Sequence, residues 1–237
     1  MFRVGDRGVL RASAWDRHPW LIHGFSTRAT GDFLDWPDDA EIAAAFGASG
    51  FGTATLRQVH AARLVRADAP WGSTRPEADA VMTARAGVLV GVRTADCFPI
   101  LLADPVTRTV AAVHAGWRGT VAGVLPNAIA GLTGALSVKR ENLEAVIGPG
   151  IGACCFEVGD EVAGEFRSDF VRSGRGRPHV DLAAALKAQL VRSGVLSIRS
   201  CGHCTSCDLD RFFSHRGEHG VTGRMLSLVG IESGADE

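Results

Sequence analysis

The chain has 237 residues, 46% hydrophobic and 22% charged, which is the balance of an ordinary globular protein. Its 25 Lys plus Arg and 26 Asp plus Glu give a net charge of −1, which argues against nucleic acid or an anionic membrane as a partner. The sequence shows neither an apolar run long enough to span a membrane nor a signal peptide, so we expect a cytoplasmic protein whose six cysteines are reduced thiols.

Seven strand-like runs are visible, several of them continuously apolar as in strands that are covered on both faces. They are predicted at residues 21–27, 55–60, 62–67, 78–83, 87–94, 98–104 and 108–115. Because Asp104-Pro105 is typical of a turn, residues 98–115 are predicted to form a hairpin.

Helical patterns interleave with these strands at 38–48, 118–135, 158–170 and 181–194. Pro126 must kink or restart the second helix, while Asp181 can cap the last one and Gly194 can end it. The Gly- and Arg-rich segment 172–179 is predicted to be a solvated loop. No long linker divides the chain, so the pattern indicates one domain with an α/β or α+β layered fold.

Three segments place a histidine or cysteine beside a strand-like run: His60 in RQVHAAR, Cys97 in VRTADCFPILLADP and His114 in AAVHAGWRGT. Three such ligands with one open position are what a catalytic zinc ion requires. The residues lie 37 and 17 positions apart, so no local spacing fixes the site. Two glycines after His114 would let the backbone approach a ligand closely.

These segments, together with EADAVMT, IGPGIGACCFEVGDEV and FFSHRGEHGVTGRM, resemble the YfiH family, also called DUF152 or laccase-like multicopper polyphenol oxidase. The resemblance runs from about residue 20 to residue 230 and covers nearly the whole single domain 1–237. TADC followed by HAGWRGT is highly specific to this family. One departure is FSTRATGDFLDW, which is shorter than the family's Gly-rich stretch and lacks the Asn that follows it.

The resemblance implies an α-β-β-α sandwich with mixed sheets, in which His60, Cys97 and His114 are the metal ligands. It also implies zinc-dependent phosphorolysis of purine nucleosides (adenosine, inosine, guanosine and methylthioadenosine), with adenosine deamination as a second activity. Copper and phenol oxidation are the older association of the family. The partners expected are therefore a purine nucleoside and phosphate, and the oligomeric state stays open.

Phosphorolysis requires arginine to bind phosphate, and Arg28, Arg57 and Arg118 lie in or beside the motifs. Asp96, which precedes Cys97, is a further candidate for substrate binding. Deamination would use water activated by zinc, although the H-x-E and P-C-x-x-C signature of other zinc deaminases is absent. Ser214, Arg216 and Arg224 of the C-terminal motif could contact substrate or serve the structure.

Three other functions fit the same residues. Cys97 could be a nucleophile with His114 or His60 as its base, giving a Cys-His hydrolase. The family resemblance fits this version, since it also implies a link to peptidoglycan precursor editing. A copper-dependent phenol oxidase is less favoured because such sites need more histidines. A non-catalytic zinc-binding module would be favoured by a fourth protein ligand.

Two more strings carry cysteine. CGHCTSC at 201–207 has overlapping C-x-x-C pairs and His203, but packed or surface thiols are the favoured interpretation over structural zinc. GPGIGACC at 148–155 is glycine-rich but lacks the Lys and Ser/Thr of a P-loop, so it is predicted to be a tight strand-to-helix turn that lines the pocket.

Overall fold

The computed structural model describes residues 1–35, 37–172 and 176–232, and these contain fourteen strands and five α-helices. The strands are β1 (Phe2–Val4), β2 (Leu10–Ala12), β3 (Leu21–Phe25), β4 (Gly52–Thr55), β5 (Leu64–Arg66), β6 (Ala80–Thr83), β7 (Val88–Thr94), β8 (Phe98–Asp104), β9 (Thr109–Ala115), β10 (Glu144–Ile147), β11 (Val171–Arg172), β12 (His179–Val180), β13 (Ser197–Ser200) and β14 (Met225–Ile231). The helices are α1 (Asp39–Ala45), α2 (Trp117–Val121), α3 (Val124–Ala135), α4 (Asp160–Ala163) and α5 (Leu182–Arg192). None of the helices in these ranges combines the length and apolarity needed to cross a bilayer.

Twelve of the strands form two six-stranded mixed sheets. The first has the order β1-β2-β3-β14-β7-β4, in which β4 runs parallel to β7 and the other neighbours are antiparallel. The second has the order β13-β10-β8-β9-β6-β5, with parallel pairs at its two edges. The strands β11 and β12 pair separately.

The two sheets pack face to face, and helices cover their outer faces. Phe25, Val90 and Leu101 belong to the apolar core between the sheets. Outside the first sheet, α1 contributes Ile42 to a smaller apolar cluster. Outside the second, α3 and α5 pack together through residues such as Ile129. The layers therefore run α-β-β-α in one domain, which confirms the fold class.

Local chemistry explains where the helices begin and end. The carboxylate of Asp38 accepts the Glu41 N–H, a capping box that starts α1. Asp181 accepts the Ala184 N–H at the start of α5, and Gly194 follows that helix with a left-handed φ of 87°. Pro126 lies in the first turn of α3, where no intrahelical N–H is needed, so the prediction that it restarts the helix is confirmed.

The predicted hairpin over 98–115 is also confirmed, and it positions the site. Strands β8 and β9 pair from Phe98–Ala115 to Asp104–Thr109, and the Asp104 carboxylate accepts the Val106 N–H at 2.9 Å in the turn. Because Pro99 pairs with His114, the hairpin brings Cys97 and His114 to the same end of the second sheet.

Two predicted elements are wrong. The strand expected over 55–60 ends at Thr55, because the following residues leave the sheet in a turn that contains His60 with a φ of 58°. The helix expected over 158–170 is only the single turn α4, since Gly164 ends it while Val158 and Val162 still pack into the core.

Three other segments complete the comparison with the sequence. Residues 173–175 of the predicted loop 172–179 lie outside the described residues, while Arg172 and His179 belong to β11 and β12. The segment GPGIGACC leaves β10 and enters a turn at 153–155 rather than a helix. The strand β14 was not predicted, although it pairs on both sides in the middle of the first sheet.

Candidate active site

The structure brings the three predicted metal ligands together. One ligand atom each of His60, Cys97 and His114 lies within 4.8 Å of the other two. The two imidazole rings meet at a centroid distance of 4.8 Å and an angle of 67°. His114 is buried, Cys97 is half-buried and His60 is exposed, so the group sits at the wall of the protein rather than inside it.

One buried carboxylate, that of Asp79, shapes this group. Its Oδ1 accepts the His60 N–H at 2.9 Å, and its Oδ2 accepts the Ala61 N–H at 2.7 Å. These bonds hold His60 in a left-handed backbone conformation that a non-glycine residue rarely adopts. Hydrogen bonds to Asp79 therefore stabilise the turn that contains His60.

Asp79 also orients His114. Its Oδ1 lies 2.7 Å from His114 Nδ1, and its carbonyl oxygen accepts the His114 N–H at 2.7 Å. With Nδ1 engaged, Nε2 is the ring nitrogen left for a metal ion. A carboxylate behind a histidine ligand is the usual arrangement at zinc sites, where it fixes the tautomer and raises the basicity of the ring.

The charges of the group suit metal binding. Burial alone would raise the pKa of the Cys97 thiol, but His114 and His60 outweigh burial and lower it. Burial opposes the charge of His114, yet Cys97 and Asp79 together raise the pKa of its imidazole. Cys97 therefore favours the thiolate form, which is the form that binds metal.

Gly116 leaves the space that an ion would need. A Cβ atom at this position would come within 2.8 Å of Cys97 Sγ and 2.9 Å of His60 Nδ1. Within the described ranges, no fourth His, Cys, Asp or Glu joins the three ligands. Two imidazoles and one thiolate with an open fourth position fit zinc in a catalytic arrangement, and the missing fourth ligand argues against a closed, purely structural site.

A cavity of about 590 Å³ opens on the three ligands, within the size range of small-molecule sites. Trp117, Ile151 and Phe156 give it apolar surface, and Thr94 and Gln58 add polar groups. Thr94 is buried, and its Oγ1 has no hydrogen-bond partner among the described residues. The lining of the cavity is rich in positive charge and includes the arginines Arg57, Arg93, Arg118, Arg216 and Arg224.

The predicted phosphate-binding arginines separate into two groups. Arg57 and Arg118 line the cavity, whereas Arg28 is not in its described lining. Arg28 instead pairs with Glu218 at 2.5 Å and donates to the Phe212 carbonyl oxygen. Arg57 pairs with Glu77 at 3.2 Å on the surface, and Arg118 stacks over the Trp117 ring at 4.4 Å without a carboxylate partner in the described chain.

Asp96 lines the cavity, but its carboxylate already has protein partners. Its Oδ1 accepts the hydroxyls of Thr205 and Ser214 at 2.6 and 2.7 Å, and its Oδ2 accepts the Arg216 N–H at 2.7 Å. Asp96 also has a left-handed φ of 85° beside Cys97. The contacts give Asp96 a role in joining the Cys97 loop to the C-terminal loops, and its contact with substrate stays a prediction.

Sequence reasoning did not single out Asp79, Gln58 or Arg93. Asp79 is an acid inside the otherwise apolar run ADAVMT, which was the available signal for a buried functional carboxylate. Gln58 has no comparable signal, because its amide pairs with the backbone N–H and C=O of Arg93 only after the chain has folded.

Comparisons with known proteins identify relatives over most of the chain. The family model described as multi-copper polyphenol oxidoreductase laccase matches residues 38–232. A purine nucleoside phosphorylase of Deinococcus radiodurans is 38% identical over 232 residues, 88% of each chain. A protein named adenosine deaminase RL5, from an unknown prokaryotic organism, is 40% identical over 148 residues, 58% of this chain and 56% of its own.

The fold is shared with solved structures as well. The hypothetical protein YfiH of Bacillus licheniformis superposes with a TM-score of 0.86 at 25% identity, over 98% of this chain and 99% of its own. The range of the family model includes His60, Cys97 and His114, and the structural superposition covers nearly the whole chain. This chain therefore belongs to the YfiH family of laccase-like proteins.

Proposed function

We propose that this protein is a zinc-dependent purine nucleoside phosphorylase that acts on adenosine, inosine, guanosine and methylthioadenosine, with adenosine deamination as a second activity. The observation that carries the proposal is the open, arginine-lined cavity beside His60, Cys97 and His114. The names of the Deinococcus radiodurans relative and of adenosine deaminase RL5 support the two activities.

In the proposed reaction, arginines of the cavity bind the phosphate. Phosphorolysis joins a phosphate oxygen to C1′ of the ribose and breaks the bond from C1′ to the purine nitrogen, which takes up a proton. Phosphate must therefore be held with an oxygen aimed at C1′, a task that suits guanidinium groups. Arg118 is the first candidate, because its guanidinium lines the cavity without an acid partner in the described chain, and Arg57 is the second.

In the same proposal, apolar and hydroxyl groups of the cavity bind the nucleoside. Trp117 and Phe156 offer aromatic surface of the kind on which a purine base packs, and Thr94 offers a buried hydroxyl that has no hydrogen-bond partner among the described residues. Zinc bound by His60, Cys97 and His114 would supply a Lewis acid at the edge of the same cavity. Asp79 keeps His114 in the tautomer that such a metal requires.

One assay tests both activities. The purified protein, with its metal content measured, is incubated with adenosine or inosine in the presence and absence of phosphate, and free base, ribose 1-phosphate and ammonia are quantified. We expect base release that depends on phosphate, and ammonia from adenosine without phosphate. Absence of turnover in the metal-loaded protein, together with a Cys97→Ala variant that binds as much zinc per chain as the unsubstituted protein, would reject the proposal.

A pair of arginine variants localises the phosphate site. Arg118→Gln should raise the KM for phosphate about tenfold or more, because hydrogen bonds to a charged group are worth about 1.5–3 kcal/mol. Arg63→Gln is the matched control, since Arg63 is exposed and donates to the Glu77 carbonyl oxygen outside the cavity lining. Equal phosphate KM values for both variants would remove Arg118 from the proposed site.

A further inference from the structure

A second group of potential metal ligands lies outside the cavity lining. Cys154 and Cys155 follow the glycine-rich segment, Cys204 and Cys207 belong to the C-terminal string CTSC, and all four sulfur atoms lie within 4.8 Å of one another. Cys207 Sγ is 3.4 Å from Cys154 Sγ and 3.3 Å from Cys155 Sγ. Four thiolates at about 2.3 Å from a tetrahedral zinc ion are separated by about 3.8 Å. The two Cys207 distances are slightly shorter than this, and every sulfur pair lies within 4.8 Å.

Backbone contacts hold the two segments in register. Gly150 forms a parallel bridge with Cys204, and its carbonyl oxygen accepts the Thr205 N–H at 3.1 Å. The Cys207 N–H donates to the Cys204 carbonyl oxygen at 3.3 Å, which closes the C-x-x-C turn. The arrangement of the four sulfurs therefore follows from ordered backbone and not from side-chain placement alone.

The surroundings of Cys204 resemble the second shell of a zinc thiolate site. The Gly152 N–H donates to Cys204 Sγ at 3.2 Å, and such donors stabilise a thiolate. A Cβ atom on Gly152 would lie 3.1 Å from Cys154 Sγ and 3.2 Å from Cys204 Cβ, so the glycine leaves room for the sulfurs to converge. A thiol cluster with an N–H donor and four ligands meets the requirements of a closed structural site.

Two other residues of CGHCTSC, Cys201 and His203, do not belong to this group of ligands. Cys201 is outside the cluster, and its N–H donates to the Ile147 carbonyl oxygen. His203 is also outside, since its Nδ1 pairs with Arg211 and its ring packs against Phe212. The four sulfurs are therefore drawn from two distant segments, and CGHCTSC supplies only Cys204 and Cys207 to the group.

We propose that Cys154, Cys155, Cys204 and Cys207 bind a second zinc ion, and that this ion is structural. It ties the turn at 150–157 to the C-terminal loop, and the first of these segments supplies Ile151 and Phe156 to the cavity wall. On the C-terminal side, Thr205 donates to Asp96 beside Cys97. The second ion thus supports one wall of the cavity without contacting substrate.

Zinc counting in three variants tests the proposal. The proteins are purified with reductant and without chelator, and zinc per chain is measured by mass spectrometry of the metal. Cys97→Ala, which lacks the open site, should retain one equivalent, and Cys97→Ala combined with Cys207→Ala should lose it. Cys97→Ala combined with Cys201→Ala is the matched control and should retain the equivalent, because Cys201 is outside the cluster.

A spectroscopic measurement keeps the test valid if a double variant fails to fold. Cobalt added to the metal-free Cys97→Ala protein should give the intense thiolate-to-cobalt charge-transfer absorption of a tetrathiolate site, and a mercurial reagent should release one zinc ion as four thiols react. A metal-free Cys97→Ala protein, a disulfide among the four cysteines under reducing conditions, or equal zinc loss on removing Cys201 would each overturn the proposal. These outcomes do not depend on nucleoside turnover, so they are separable from the proposed enzymatic function.

Discussion

The two groups of cysteine and histidine differ in what surrounds them. His60, Cys97 and His114 supply three ligands at the wall of a cavity of about 590 Å³. Cys154, Cys155, Cys204 and Cys207 supply four sulfurs, of which Cys154 and Cys207 are exposed, outside the lining of that cavity. An incomplete ligand set beside a cavity suits chemistry, whereas a complete set on the surface suits cross-linking of the chain.

The groups also differ in how they are held. Around the three ligands, the single carboxylate of Asp79 fixes both a backbone turn and a ring orientation. The four sulfurs are instead positioned by the pairing of two backbone segments. The first group therefore depends on one side chain, and the second depends on the folding of two loops against each other.

The largest effect on activity is expected from removing the thiolate of the first group. Cys97→Ala should lower kcat/KM about 10³-fold or more, because a bound metal ion contributes several kcal/mol of transition-state stabilisation. Thermal unfolding should change far less, since the four-sulfur group is untouched. Steady-state kinetics and calorimetry of one preparation measure both quantities. Retained activity would show that the chemistry does not need this ligand.

Removing the carboxylate behind the ligands is expected to have the next largest effect. Asp79→Asn should weaken metal affinity and activity about 10–100-fold, because the amide cannot hold His114 as a carboxylate does. Asp104→Asn is the matched control, as Asp104 is equally buried but serves the hairpin turn. Metal titration of both variants makes the comparison, and equal losses would mean that Asp79 is a structural residue only.

A smaller effect is expected from filling the space between the ligands. In Gly116→Ala, the new Cβ would meet Cys97 Sγ and His60 Nδ1 at under 3 Å, so the ligands must shift and metal affinity should fall about tenfold, or ~1.4 kcal/mol. In the control Gly134→Ala, in α3, the new Cβ would have no neighbouring atom within 4 Å, so this variant should bind metal normally and gain about 0.5–1 kcal/mol of stability. Unchanged metal binding in Gly116→Ala would contradict the assigned ligand space.

The smallest effect on activity is expected from removing the hydroxyl of Thr94 in the cavity. Thr94→Val should raise the KM for nucleoside about 2–12-fold, corresponding to the ~0.5–1.5 kcal/mol of one hydrogen bond. Stability should not fall, because Oγ1 has no partner among the described residues. Kinetics and thermal unfolding of the variant separate these two quantities. An unchanged KM would place the nucleoside elsewhere in the cavity.

Much of the fold and of the first site could be predicted from local pattern. The hairpin over 98–115 and the capped helix α5 follow from a turn dipeptide and a capping residue that act within a few positions. The ligands His60, Cys97 and His114 were found through motifs that flank them. The strand β14 was missed, and its place between β3 and β7 depends on partners about 130 to 210 residues away in the chain.

The sequence by itself therefore determined the family, the layered fold class and the three residues His60, Cys97 and His114 that cluster in the structure. Only the tertiary structure showed that Asp79 joins His60 to His114, that Arg28 is paired with Glu218, and that two cysteine strings share one cluster. The physical reason is that hydrophobic period, caps and turns act over a few residues. Contacts between distant segments depend instead on how two sheets and their loops pack, which no local pattern records.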